Sequence, residues 1–256
     1  MDSLKKALLA CGILSSLLYV TMTVLIARQW EEYSSLSQTI SELSAIDAPT
    51  RAVWVVPGAL YTVLVTLFGS GVVKSAGSNR RLRAVGVLIA VYGSLGLVWP
   101  FAPMHQREVL VAGGGTISDT MHLTLAAVTV LLMLVAIGVG AAALGTRFRV
   151  YSIVSLVVLL VFGVLTFLDA PKIDAGLPTP WIGVWERVNL GVFLLWVVAL
   201  AIAVWPKVPS ATVAAPATFP TTPRTRLRSG APVRLSQPRV AGRRRESADA
   251  RTGSRR

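Results

Sequence analysis

The sequence predicts an all-α fold, a six-span transmembrane helical bundle over 1–205 followed by a disordered basic C-terminal tail over 206–256. Three observations carry this reading. Of 256 residues, 54% are hydrophobic and only 14% charged, with a mean hydropathy of +0.64, whereas a soluble domain carries about a quarter charged residues. Six stretches of 18 residues or more contain no Asp, Glu, Lys or Arg. Each is long enough to cross a hydrocarbon core about 30 Å thick at a rise of about 1.5 Å per residue. The remaining charge sits between these stretches and changes sign from loop to loop. Because lipid cannot hydrogen-bond to backbone groups, segments of this length and composition are expected to be helices.

The first stretch, 7–27, follows Lys5 and Lys6. Leu8-Leu9-Ala10-Cys11 imitates a lipoprotein cleavage site, but only four residues separate Lys6 from Cys11, short of the roughly 7–15 of a signal's apolar region. The stretch therefore reads as a span. Cys11, the sole cysteine, forms no internal disulfide. The second stretch, 52–73, contains Pro57, and the third, 84–102, is expected to end at Pro100. Gly86, Ala90 and Ser94 in the third, with Ala136–Gly140 and Ala141–Gly145 in the fourth (121–146), form small-residue stripes. Such stripes let helix backbones approach closely and read as packing faces. The fifth stretch is 150–168. The sixth, 188–205, is preceded by Thr179-Pro180, which reads as an N-cap followed by a first-turn proline. Trp30, Trp54, Trp99, Trp181, Trp185 and Trp205 lie near span ends, where an amphipathic ring suits the headgroup layer.

The N-terminus, second loop and fourth loop together carry eight basic residues and one acid, whereas the first, third and fifth loops carry five basic residues and nine acids. Lysine and arginine are retained on the cytoplasmic side, so both termini are expected there, in a cell membrane, with the three long loops outside. Residues 206–256 hold 12 of the 25 Lys+Arg, two of the 12 Asp+Glu and seven of the 14 Pro. A segment so poor in large apolar residues cannot bury a core. Contact with anionic lipid is one role for it and nonspecific nucleic-acid contact another, beside that of a solvated tail that only reinforces topology. It contains no structured nucleic-acid motif, and no specific nucleic-acid partner is expected.

The outward loops hold both histidines of the chain. In PMHQREVLVAGGGTISDTMHL (103–123), Gly113-Gly114-Gly115 predicts a turn, and Thr116-Ile117-Ser118-Asp119 has capping-box spacing with Thr116 at N-cap and Asp119 at N3. Asp119 and His122 then share a helical face, and their pairing would offset the cost of placing an imidazole at the membrane rim. The first loop adds Ser37-Gln38-Thr39-Ile40-Ser41-Glu42-Leu43-Ser44, and the sixth helix opens with Glu186 and Asn189 three apart. Ionisable groups at such positions are functional candidates. The candidate ligand-binding set is Glu42, His105, Asp119, His122 and Glu186. His105, Asp119, His122 and Glu42 or Glu186 are also ligand types suited to a divalent metal, although no tight His-x-x-x-His pair is present. A serine hydrolase built from Ser41 or Ser118 with His122 and Asp119 lacks the Gly-x-Ser-x-Gly elbow, and Gly113–Gly115 lacks the ending of a phosphate loop.

Ile40-Ser41-Glu42-Leu43 after the first helix, Ser118-Asp119-Thr120-Met121-His122 opening the fourth and Glu186-Arg187 opening the sixth together resemble Domain of Unknown Function family 998, prokaryotic integral membrane proteins. The resemblance covers about 7–205. It implies a polytopic bundle and brings no assigned activity, cofactor or partner. The leading expectation is a protein that binds a lipid, small ligand or partner through an extracytoplasmic polar pocket. The alternative is a membrane-embedded metal-assisted hydrolase acting on a lipid headgroup. A coupled transporter would need charge near the bilayer midplane, and the six stretches supply none.

Overall fold

The computed structural model describes residues 2–205. The tail over 206–256, with the disorder and lipid contact expected of it, lies outside the described residues. Six long helices are apolar enough to span a membrane: α1 (Asp2–Ala27), α2 (Arg51–Ser75), α3 (Arg80–Leu95), α5 (Ile117–Ala141), α6 (Thr146–Asp174) and α7 (Ile182–Val204). A short helix, α4 (Arg107–Val111), lies between α3 and α5. The chain is a multi-pass membrane protein, all-helical among the described residues.

Several spans outrun the charge-free stretches. α3 begins at Arg80, α6 continues through Asp169, Pro171 and Lys172 to Asp174, and α7 begins at Ile182. Charged side chains are tolerated at span ends because their long stems stay in apolar surroundings while the heads reach water. α3 itself stops at Leu95, and a 3₁₀ segment, Gly96–Phe101, carries Pro100 onward. A second 3₁₀ turn, Ser41–Ser44, lies in the long first loop.

Helix contacts close a ring in the order α1, α2, α3, α5, α6, α7 and back to α1. Its interior holds Phe68, Ile89, Ile137, Phe193, Trp196 and Leu200, all at most 1% exposed. Each helix turns apolar side chains outward as well: Leu17, Val56, Val87, Leu131, Val157 and Leu195 are 50–74% exposed. An apolar exterior around an apolar core is what a lipid solvent requires.

The small-residue stripe of α3 lies against α2. A Cβ on Gly86 would come within 2.7 Å of Val73 N, and one on Gly93 within 2.6 Å of Thr66 N. In α5, Gly140 makes room for Trp196, whose indole Nε1 donates to Ser152 Oγ at 2.9 Å.

The bundle has two unlike ends. At one, four-residue turns join α2 to α3 and α5 to α6. Asn79 caps α3 by accepting from Leu82 N at 3.0 Å and donates through Nδ2 to Ala143 O at 2.8 Å, tying the two turns together. At the other end lie the long loop 28–50, the connection 96–116 with α4, and the segment 175–181. Every candidate residue lies at this long-loop end.

Candidate ligand site at the long-loop end

The long-loop end is fastened at three points. Glu42, 2% exposed, accepts from Thr39 N at 2.8 Å and from the Thr39 hydroxyl at 3.0 Å. These bonds shape the 3₁₀ turn. Arg107, the first residue of α4, grips the same carboxylate with both arms of its fork, Nε to Oε2 at 2.7 Å and Nη2 to Oε1 at 2.9 Å. It also donates to Ser37 O at 2.6 Å and to the Thr179 hydroxyl at 2.7 Å. A bidentate guanidinium–carboxylate pair combines charge with fixed geometry, and here it joins three connections at one point.

α7 supplies the second fastening. Glu186 accepts from Ile40 N and, at 3.4 Å, from the Ser41 hydroxyl. Arg187 donates to Gln38 O at 3.1 Å and to the Tyr33 hydroxyl at 2.6 Å, with its guanidinium 5.7 Å from the centre of the Tyr33 ring. Tyr33 in turn donates to Thr39 O at 2.7 Å. Burial pushes its hydroxyl well above the ordinary tyrosine range even though Arg187 opposes the shift. Tyr33 therefore stays a protonated donor.

The third fastening is the start of α5. Thr116 and Asp119 form the expected capping box, with Thr116 N donating to Asp119 Oδ2 at 2.8 Å. The glycine turn, with Gly113 at φ 78°, brings the preceding strand of chain back against this cap. Asp119 then accepts from His105 N and His105 Nδ1, each at 2.8 Å. The expected pairing of Asp119 with His122 is not formed. His122 Nδ1 donates to Ala102 O at 2.8 Å, and Ser118 Oγ to Pro103 O at 2.6 Å. All three polar residues of the Ser-Asp-x-x-His stretch thus hold the backbone of 102–105. Replacing Asp119 with alanine is expected to cost about 1–2 kcal/mol, the upper part of the range for a lost cap, read as a lower melting temperature in detergent.

Thr179 also departs from expectation. α7 starts three residues later, and Trp181 at its N-cap makes no side-chain cap. The Thr179 hydroxyl is drawn instead to Arg107 and to Ser37 O, the latter at 3.2 Å. Arg187 entered through the Glu186-Arg187 stretch of the resemblance, whereas Arg107 and Tyr33 are the residues that the sequence left unremarked. Their one signal in the sequence is that a buried acid such as Glu42 requires a partner.

Below the fastened loop, a cavity of about 230 Å³ opens between α1, α2, α5, α7 and the end of α3 with its 3₁₀ extension. The loop contributes Ile40, Ser41 and Ser44 to its wall. Aromatic rings form much of the rest: Tyr19 stands 4.7 Å from Tyr61 and 6.1 Å from Trp54, centroid to centroid, and Trp99 lies edge-on to His122 at 4.8 Å. The hydroxyls of Tyr61 and Tyr92 are hydrogen-bonded at 2.8 Å. Of the five candidates, His122 and Glu186 line this cavity. Glu42, His105 and Asp119 belong to the hydrogen-bonded fastenings.

Among the described residues, no three His, Cys, Asp or Glu side chains are grouped to hold a metal ion. Nor is any Ser–His hydrogen bond present among them: Ser41 and Ser118 donate to Glu186 and to Pro103 O.

The family model for Protein of unknown function (DUF998) matches residues 13–203, most of the chain. The chain belongs to this family. No curated protein and no solved structure matches it. The three stretches that suggested DUF998 now have a common physical role, because all of them fasten the long-loop end. Ile40-Ser41-Glu42-Leu43 supplies the loop's contacts to α7 and Arg107, Ser118-Asp119-x-x-His122 fixes 102–105, and Glu186-Arg187 holds 38–41 from the start of α7.

Proposed function

We propose that this member of DUF998 resides in a cell membrane with both termini cytoplasmic and binds a lipid or small amphipathic ligand in the long-loop cavity from the extracytoplasmic side. The observation that carries this reading is the cavity itself. It is mostly apolar and aromatic, yet it is lined by Arg51, His122, Glu186 and Asn189. A few convergent polar groups in an apolar hollow are the usual make-up of a ligand site. Interhelical packing alone gives no reason to leave such groups around open space. The arginine-rich 206–256 segment would sit on the cytoplasmic side, strengthening the charge bias and facing anionic lipid.

Filling the cavity tests the reading. Gly58 lines it, and a Cβ there would make only ordinary contacts, 3.6 Å from Trp54 Nε1 and 4.0 Å from Met22 Cε. Gly58→Leu is therefore expected to fold and to occupy part of the space. Native mass spectrometry of wild type extracted in mild detergent should retain a bound lipid or small molecule that Gly58→Leu lacks. Equal adducts on both proteins would remove the cavity from consideration.

Orientation is tested separately. On a Cys11→Ala background, cysteine at exposed Ser35 should react with a membrane-impermeant maleimide added to intact cells. Cysteine at exposed Ser78, in the turn between α2 and α3, should react only after the membrane is opened. The reverse pattern would invert the topology.

A further inference from the structure

Resting on the cavity as the binding site, we infer that its ligand is zwitterionic: a primary ammonium held at Glu186 with an anionic group, such as a phosphate, held at Arg51. The cavity wall contains one acid and one strong base, Glu186 and Arg51. Neither has an ion-pair partner among the described residues. The acids Glu42, Asp119 and Asp169 are paired with Arg107, His105 and Lys172, and Arg187 beside Glu186 makes no ion pair with it and donates to Gln38 O, Gly183 O and the Tyr33 hydroxyl.

Arg51 donates to two backbone carbonyls, Ser44 O at 2.6 Å and Pro100 O at 3.4 Å. A guanidinium has five N–H donors, so this orientation leaves donors for an anion. Arg51 is only partly buried, but a carboxylate enclosed like that of Glu186 is costly unless compensated. A ligand carrying both signs would compensate both without adding net charge.

The neutral polar groups specify which cation. A carbonyl cannot donate, so the 2.8 Å contact to Ala102 O requires the proton on His122 Nδ1. With the ring neutral, Nε2 is an acceptor, on a residue 6% exposed, and it has no partner among the described residues. Asn189, also 6% exposed, donates through Nδ2 to Leu159 O at 2.6 Å and retains its carbonyl oxygen as an acceptor. The Thr129 hydroxyl, on another lining residue, is buried without a partner among the described residues. Groups able to accept a hydrogen bond therefore line the same cavity as a carboxylate and the rings of Tyr19, Trp54 and Tyr61. A cation is attracted to such rings, but only one with N–H donors also satisfies the acceptors, which favours a primary over a quaternary ammonium. Phosphoethanolamine chemistry has this form, either as the headgroup of a lipid or as a free zwitterion.

Binding of three probes to the full chain in detergent, followed by tryptophan fluorescence, tests the inference: dihexanoyl phosphatidylethanolamine, dihexanoyl phosphatidylglycerol and free phosphorylethanolamine. Wild type is expected to bind the ethanolamine lipid at least tenfold more tightly than the glycerol lipid. Glu186→Gln should abolish that preference by weakening the ethanolamine lipid alone. Arg51→Gln, which leaves the contacts of Glu186 to the loop in place, should weaken both lipids about tenfold and so keeps the test decisive if Glu186→Gln folds poorly. Saturable binding of phosphorylethanolamine at comparable concentrations would assign the ligand to a soluble zwitterion, and its failure to bind where the lipid does would assign it to a membrane lipid. Equal affinities for the two lipids in wild type, or affinities that Arg51→Gln leaves unchanged, would overturn the inference. If those equal affinities vanish in Gly58→Leu, the cavity survives as a lipid site without the zwitterion. If Gly58→Leu leaves them untouched, both readings fall.

Discussion

Replacing Arg107 with leucine is expected to destabilise the folded chain by about 3–5 kcal/mol, the cost of stranding one member of a buried ion pair. Glu42 is 2% exposed and would keep its bonds to Thr39 and Gln38 while losing both arms of the guanidinium. The Ser37 carbonyl and the Thr179 hydroxyl would lose a donor in the same step. Reversible unfolding in mixed micelles, followed by circular dichroism, measures the loss.

The decisive comparison is with the double variant Glu42→Leu/Arg107→Leu. Removing both leaves no charge uncompensated, so about half of the loss should be regained even though Thr39 N and the Gln38 amide lose their acceptor and Ser37 O and the Thr179 hydroxyl their donor. If the double variant is as unstable as the sum of the two single ones, the charges act independently and the fastening is not a coupled unit. Because Ile40, Ser41 and Ser44 form part of the cavity wall, loss of the fastening should also weaken any ligand bound there.

Arg107 shows why the site was less legible than the fold. The six spans could be read because lipid acts on every residue of a helix at once, so eighteen or more uncharged positions in a row are a strong local signal. The capping box was equally readable, since Thr116 and Asp119 lie three residues apart and the bond between them depends only on helix geometry. The Arg107–Glu42 pair joins residues 65 apart, and nothing near either residue announces the other.

The histidines illustrate the same limit from the opposite direction. Asp119 and His122 have the spacing of a helical pair, yet the chain folding back at Gly113 delivers His105 to Asp119 and leaves His122 to the Ala102 carbonyl. Local spacing proposed a partner, and a turn fourteen residues wide supplied a better one. The cavity was out of reach altogether, because Arg51 and Trp54 on α2, His122 on α5 and Glu186 on α7 become neighbours only through the order in which the ring closes.

That ring closure depends on the approach of α2 to α3, and Gly69→Val is expected to break it at a cost of about 3 kcal/mol, the upper part of the usual overpacking range. A Cβ at position 69 would stand 2.5 Å from Ala90 N, 2.7 Å from Gly86 O and 2.8 Å from Ala90 Cα. Every one of these atoms is backbone, so no side-chain rotation relieves the clash and the two helices must move apart. In lipid the loss is not softened by hydrophobic burial elsewhere, since helix association there rests on close van der Waals contact. Gly138 in α5 provides the control: apart from its own stretch of helix backbone, nothing lies within 4 Å of a Cβ placed there, so Gly138→Ala removes a flexible residue from a helix without a steric cost. The Gly69 variant should therefore unfold at lower temperature in detergent while Gly138→Ala is unchanged or slightly more stable. Equal melting temperatures for the two would mean that the α2–α3 contact yields without penalty, which atoms 2.5 Å from an added carbon do not permit.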